Sequence, residues 1–351
     1  MATLIQVCNV AEVMGGTGAC AWTVTRALPG WRHVVVFPRA AREEVAREFG
    51  PAEVRAWPVV TAARVREVAA ESARRGVRGG VVVLLHNAGV GRVEGTLPAV
   101  VLQYVHSPIR AAGADSVRYC SQHLAARCGV SETAWERAVL YQAVPEPPRG
   151  CALGSGAGRG ESSTRSLRRE LVVGRLCTPT ARKWPEETIA FTRRVAEAVP
   201  GVRWEFVGCP EGLQCALGEA CAGEATFHPA SWAARGHLWN WDALVYHHPS
   251  LTETFGRVVA EALRAGCVPV VDARGGFVEQ VTPETGFLCS GPEEFVRAVR
   301  TLRDDRVLRW RMSGAARERG RALFGEEAMA RRLVGWVREA AAEAAQVKGQ
   351  K

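Results

Sequence analysis

At 351 residues the chain is long for one domain and comfortable for two, and 47% apolar against 23% charged residues is globular composition, which excludes wholesale disorder. The formal charge of +9 is carried almost wholly by arginine, since Lys183, Lys348 and Lys351 are the only lysines, and it is spread along the chain. Spread charge without a basic, aromatic-laced stripe argues against nucleic acid and fits acidic ligands such as a nucleotide diphosphate or anionic lipids.

From the N-terminus, Leu4–Val10, Val34–Pro38, Val81–His86 and Val100–His106 read as strands. Between them Gly18–Ala27, Ala41–Phe49 and Ala62–Gly76 are rich in Ala, Arg and Glu and read as helices. A further helix is predicted over Ala114–Arg127, followed by a strand at Ala138–Gln142. The Pro- and Gly-rich stretch Pro145–Ser166 has little apolar content and reads as a linker. The pattern then restarts with strand Glu170–Arg175, helix Pro185–Val199 and strand Arg203–Gly208. An irregular region, Cys209–Trp241, is expected to supply packing and a nucleobase environment through Trp232, Trp239 and Trp241. Strand Ala243–His247, helix Phe255–Ala265, strand Val268–Asp272 and helix Glu293–Arg303 follow. The predicted fold class is α/β, with two Rossmann-like doubly wound parallel-sheet domains facing a cleft. Their expected limits are 1–148 for an acceptor-side domain, 149–167 for the linker and 168–311 for a nucleotide-sugar domain. A helical tail, 312–351, is expected to pack across both.

Eleven cysteines contain no C-x-x-C pair, and Cys8, Cys177, Cys209 and Cys267 lie in or beside apolar runs. That usage fits a reducing compartment and argues against zinc. Neither a signal peptide nor a membrane-spanning run is legible, so a cytoplasmic protein is expected. Peripheral contact with the inner face of the membrane, through Arg-rich N-terminal helices, stays open.

Four motifs carry chemistry. M-G-G-T-G after the first strand offers Gly15, Gly16 and Gly18 for a tight turn and close backbone approach, with a plain strand–helix turn as the alternative. His106 in Y-V-H-S-P and His86 in L-L-H-N-A each close a strand, where an imidazole either meets a ligand or is structural. Arg175 in V-V-G-R-L and Lys183 in A-R-K-W-P-E are fixed cations of the kind a departing diphosphate requires, with Arg182 as the alternative to Lys183. In S-L-T-E-T-F-G-R-V-V-A-E, a helix capped by Thr252 or Thr254 would begin near Gly256 and end at Gly266. Its unpaired N–H groups suit a phosphate. Glu253 suits sugar hydroxyls, and Glu261 lies about two turns further along. His228, His237, His247 and His248 are expected to form no metal constellation.

The E-x7-E spacing of Glu253 and Glu261, with A-L-R-A-G-C-V-P-V-V, G-G-F-V-E-Q-V and T-G-F-L after it, resembles the retaining GT-B glycosyltransferases of family 4, the glycosyl transferases group 1. The resemblance covers mainly Glu170–Leu288, with further support at Gly15–Gly18 and Tyr104–Pro108. It implies that Glu253 meets the donor sugar, Glu261 the ribose, and the amides of Thr254, Phe255 and Gly256 the sugar and pyrophosphate. It also implies that Arg175 and Lys183 stabilise the leaving diphosphate without a metal, and that Trp184 stands where the family usually has glycine. Gly15 and Gly16 would face the donor phosphates, Gly208 the base, and His106 the reacting centre. The expected substrates are a nucleotide-sugar donor and a glycan, lipid-linked or small-molecule acceptor, with no cofactor. A nucleotide-sugar epimerase and a non-catalytic sugar-binding protein are the competing readings.

Overall fold

Unbroken Val, Ile and Leu runs need cover on both faces, as in a parallel sheet flanked by helices. The computed structural model describes residues 2–9, 11, 16–89, 91–109, 113–148 and 170–349. The chain forms two units, Met1–Ala143 with Glu326–Lys351, and Val144–Gly325.

Unit 1 contains β1 (Thr3–Cys8), α1 (Gly16–Ala27), β2 (Arg32–Phe37), α2 (Glu43–Glu48), β3 (Glu53–Ala56), β4 (Val60–Thr61) and α3 (Ala62–Arg74). It continues with β5 (Val81–His86), β6 (Val93–Glu94), β7 (Val100–Val105), β8 (Ser116–Tyr119), α4 (Gln122–Arg127) and α5 (Trp135–Ala138). Its six-stranded sheet runs β3-β2-β1-β5-β7-β8, all parallel, with β4 and β6 paired separately. Ile5, Val34, Val65, Val83 and Leu85 are among its fully buried residues. The returning C-terminal helix of this unit packs on α1 and β7, with the Trp336 indole donating to Ser116 Oγ at 2.8 Å.

Unit 2 contains β9 (Leu171–Leu176), α6 (Glu187–Ala198), β10 (Val202–Val207), α7 (Glu211–Ala220), β11 (Ala225–His228), β12 (Ala243–Tyr246) and α8 (Arg257–Ala265). β13 (Val268–Asp272), α9 (Phe277–Gln280), β14 (Phe287–Cys289), α10 (Pro292–Asp304) and α11 (Arg306–Phe324) complete it. The sheet runs β11-β10-β9-β12-β13-β14, again parallel throughout. The expected helical tail divides at Gly325: α11 packs on α8, whereas α12 (Glu326–Gly349) is the returning helix of unit 1.

Three expectations need correction. Ala114–Arg127 is not one helix, because S-V-R-Y pairs with β7 as the edge strand β8 and the helix starts only after Ser121, whose hydroxyl caps Leu124 N at 3.0 Å. Ala138–Gln142 makes a single bridge, Val139 to Tyr119, and the Leu140 carbonyl accepts from the Tyr104 hydroxyl. Cys209–Trp241 is not irregular: it holds α7, β11 and a 3-10 turn, Ala233–Trp239. Gly212 and Gly218 hide the helix, and β11 is a half-exposed edge strand with no apolar run. The expected linker, 149–167, lies outside the described residues.

Candidate functional site

In each sheet the strand order reverses at one place, between β1 and β5 in unit 1 and between β9 and β12 in unit 2. Ligands of doubly wound sheets bind beyond the carboxyl ends of strands at such a reversal. In unit 2 that position is occupied by Arg175 from β9, by Tyr246 at the end of β12 and by His247 and His248 just after it.

There Lys183, in a 3-10 turn over Ala181–Lys183, pairs through Nζ with Glu253 Oε1. The same oxygen accepts from the Tyr246 hydroxyl at 2.8 Å. Burial, then the neighbouring Cys177 and Glu253, push the Tyr246 phenol far above its ordinary range, so it stays a protonated donor. Arg175 is only 2% exposed. Its Nη1 donates to the His247 carbonyl at 2.7 Å and its Nη2 to the Lys183 carbonyl at 2.9 Å. The guanidinium lies 4.9 Å from the ring centres of both Trp184 and Tyr246. Trp184 therefore walls in Arg175, which holds two loop backbones together and leaves Nε without a hydrogen bond among the described residues. Of the two predicted cations, Lys183 reaches the carboxylate and Arg175 braces the turn that carries it.

The helix after Glu253 begins later than expected. α8 starts at Arg257, and Gly256 occupies its N-cap at φ 83° with no side-chain cap, so neither Thr252 nor Thr254 has that role. A Cβ at Gly256 would meet the Phe277 ring at 2.2 Å. Gly275 and Gly276 pack equally closely on the chain from Thr252 to Phe255, and Gly276 N donates to Glu253 O at 2.9 Å. The G-G-F segment thus fixes the loop of Thr254, Phe255 and Gly256. At the other end Gly266 adopts the expected left-handed turn at φ 69°. Gly208, at φ 75°, would bring a Cβ to 2.1 Å from the Cys177 carbonyl, so glycine is required there. Glu261 is buried and accepts from Arg235 Nε at 3.0 Å, with Arg257 Nε at 3.9 Å. Arg235 in turn lies 4.1 Å over Trp232.

Sequence reasoning missed Tyr246 and passed over His248. The His248 Nδ1 accepts from Ser250 N and Leu251 N, leaving Nε2–H to donate to the Arg182 carbonyl at 2.9 Å. One neutral imidazole therefore ties the Lys183 turn to the loop leading to Glu253, and burial, foremost, holds its pKa below the ordinary value. The H-H-P run marked the place, but only the tertiary fold shows what it clamps.

In unit 1, His86 and His106 stack at 5.5 Å, and His86 Nδ1 lies 3.2 Å from His106 Nε2. The Thr25 hydroxyl donates to the Ala21 carbonyl and so accepts from Gln6 Nε2, which turns Gln6 Oε1 toward His86 Nε2 at 2.9 Å. His86 Nε2 must then carry the proton, and His86 Nδ1 accepts from His106 Nε2. His106 Nδ1 is left to accept from Gln142 at 2.8 Å. Both rings are neutral and both nitrogens of His106 are engaged within the unit. Burial drives the pKa of His86 down to about 3. Gly16 opens α1 with nothing within 4 Å of an added Cβ, and Gly15 lies outside the described residues.

His228 and His237 converge with Glu205, their ligand atoms all within 4.8 Å of one another. No helix among the described residues is long and apolar enough to cross a membrane.

With this geometry in place, comparisons with known proteins are informative. Residues 237–319 match the family model described as glycosyl transferases group 1. Over 81 residues the chain is 43% identical to the sulfoquinovosyl transferase SQD2 of Arabidopsis thaliana, of whose length it spans 16%. Anabaena HepE in complex with UDP superposes with a TM-score of 0.66 at 16% identity, over 97% of this chain and 100% of that one. The sucrose-phosphate synthase of Thermosynechococcus elongatus gives 0.60 at 17%, over 97% and 100%. At such identities these structures establish the fold, which is GT-B.

Proposed function

We propose that this chain, which belongs to the glycosyl transferases group 1 family through residues 237–319, moves a sugar from a nucleotide diphosphate sugar to an acceptor with retention of anomeric configuration. The observation that carries this reading is the meeting of Lys183 with Glu253, seventy positions apart, at the strand reversal of unit 2. A donor entering there exchanges one pairing for two. Lys183 turns from Glu253 to the diphosphate, and Glu253, still held by Tyr246, turns to a sugar hydroxyl. As the glycosidic bond breaks, charge builds on the leaving phosphate, and a fixed ammonium stabilises it.

Arg175 contributes differently from its expected role. Its amino groups hold the His247 and Lys183 carbonyls, so its charge is fixed beneath the site while it keeps Lys183 in place. The amides of Thr254, Phe255 and Gly256 are assigned to the sugar and pyrophosphate, Glu261 to the ribose and Gly208 to the base. For Glu261, Arg235 leaves one carboxylate oxygen to accept from a ribose hydroxyl. Gly15 and Gly16 are assigned to the donor phosphates. His106 is assigned to shaping the floor of unit 1, because both of its nitrogens are already bonded. Unit 1 is assigned to the acceptor, which the chemistry leaves as a glycan, a lipid-linked sugar or a small molecule.

A thermal-shift panel of nucleotide sugars tests this. Uridine diphosphate sugars come first, because HepE is described with UDP. A donor at a hundred times its Kd stabilises by about 2.7 kcal/mol, a clear rise in Tm. A panel that moves nothing overturns the reading. Conversion of the donor to its epimer without any acceptor would turn it toward an epimerase.

A further inference from the structure

We propose that Glu205, His228 and His237 form a binding site for one zinc-class divalent cation in unit 2. These residues come from the middle of β10, the end of β11 and the following 3-10 turn. Glu205 Oε2 lies 3.4 Å from His228 Nε2 and 3.3 Å from His237 Nδ1. Four-coordinate zinc with bonds of roughly 2.0–2.2 Å sets its ligands about 3.3–3.6 Å apart, so both spacings match edges of that tetrahedron. The two histidine atoms close the third edge, within 4.8 Å.

His228 Nε2 is buried and has no hydrogen-bond partner among the described residues, although a carboxylate oxygen faces it. A cation between the three groups resolves this, since it draws on a neutral imidazole nitrogen and an ionised carboxylate together.

The outer support of a metal site is also present. Trp241 donates from Nε1 to Glu205 Oε2 at 2.8 Å and fixes the ligand oxygen. The Trp241 ring is fully buried and packs directly on Gly174, where a Cβ would come within 2.1 Å. Three protein ligands, side chains 13–25% exposed, leave a fourth position for water or another ligand, the pattern of an open zinc site. Imidazole and a single carboxylate favour zinc, cobalt or nickel over magnesium or calcium. The His228 carbonyl accepts from Gly208 N at 2.9 Å, so a bound ion would stiffen the turn at Gly208.

The full-length protein, stripped with chelator, would be titrated with zinc chloride by calorimetry and with cobalt(II) by visible absorption. We expect one zinc per chain and intense tetrahedral cobalt bands. His228→Ala and Glu205→Gln should abolish both, and Trp241→Phe should weaken zinc by about 10–100-fold. Cys20→Ser, which alters the separate buried Cys20–His86–His106 group, should leave both unchanged. If His228→Ala fails to fold by circular dichroism, His237→Gln carries the test. Absence of stoichiometric zinc, or zinc and cobalt signals retained in folded His237→Gln, overturns the proposal.

Discussion

At the reversal in unit 2 the strand ends gather Arg175, Lys183 and Glu253, with Tyr246 and His248 holding them. Unit 1 has the same strand order once its short β4 and β6 are set aside, yet its reversal gathers Gln6, His86, His106 and Gln142, all neutral and all buried. The scaffold decides where a ligand can approach. The few residues just past the strands decide whether that place can stabilise a developing charge. On this contrast unit 2 is assigned to the bond-breaking chemistry, and the histidines of unit 1 to its architecture.

The sharpest way to break the contrast is Lys183→Ala. Turnover should fall by about 10²–10³-fold with an unchanged circular dichroism spectrum. Wild-type turnover would remove the charged site from the reaction. Next, Gly256→Ala forces a Cβ onto Phe277 in a left-handed conformation and should cost about 2–4 kcal/mol in urea unfolding. Turnover in the fraction still folded should fall too, because the loop of Thr254 and Phe255 moves. Gln142→Leu removes the donor to His106 Nδ1 and should cost about 1–3 kcal/mol of stability with little change in kcat per folded molecule. A hundredfold loss of kcat in that variant would instead make the neutral chain part of the reaction.

The smallest effect is in pH. His86 and His248 have folded pKa values below their ordinary 6.5, so the unfolded chain takes up protons first as pH falls. Stability should be full above about pH 7.5, and His86 should lower it by roughly 1 kcal/mol by about pH 6, with His248 adding a loss of the same sign. Chemical denaturation across that range checks it. A rise in stability on acidification would contradict the neutral assignments.

Much of this was legible in the sequence. The alternation of Val-rich runs and Ala/Arg/Glu-rich helices predicted two parallel doubly wound sheets, and Val268–Asp272 was located to the residue. The edge strands β3, β8, β11 and β14 were not. At three or four residues, and partly exposed, they carry no apolar period and owe their form to the neighbouring strand. At the site, Lys183 and Glu253 were named because their spacing and chemistry are local. The burial of Arg175 depends on Trp184 and on two carbonyls from separate loops, which no local pattern reveals. Glu205 escaped notice for the same reason: its partners lie 23 and 32 positions away.

The buried row from Gln142 to Thr25 ends on the Ala21 carbonyl, which can only accept, and so every donor along it points the same way. Glutamine amides neither gain nor lose protons near neutrality, so neither end of this row supplies a proton. A proton cannot pass along such a row, because each passage would demand that every group turn round at once. Along this row, therefore, His106 receives no proton.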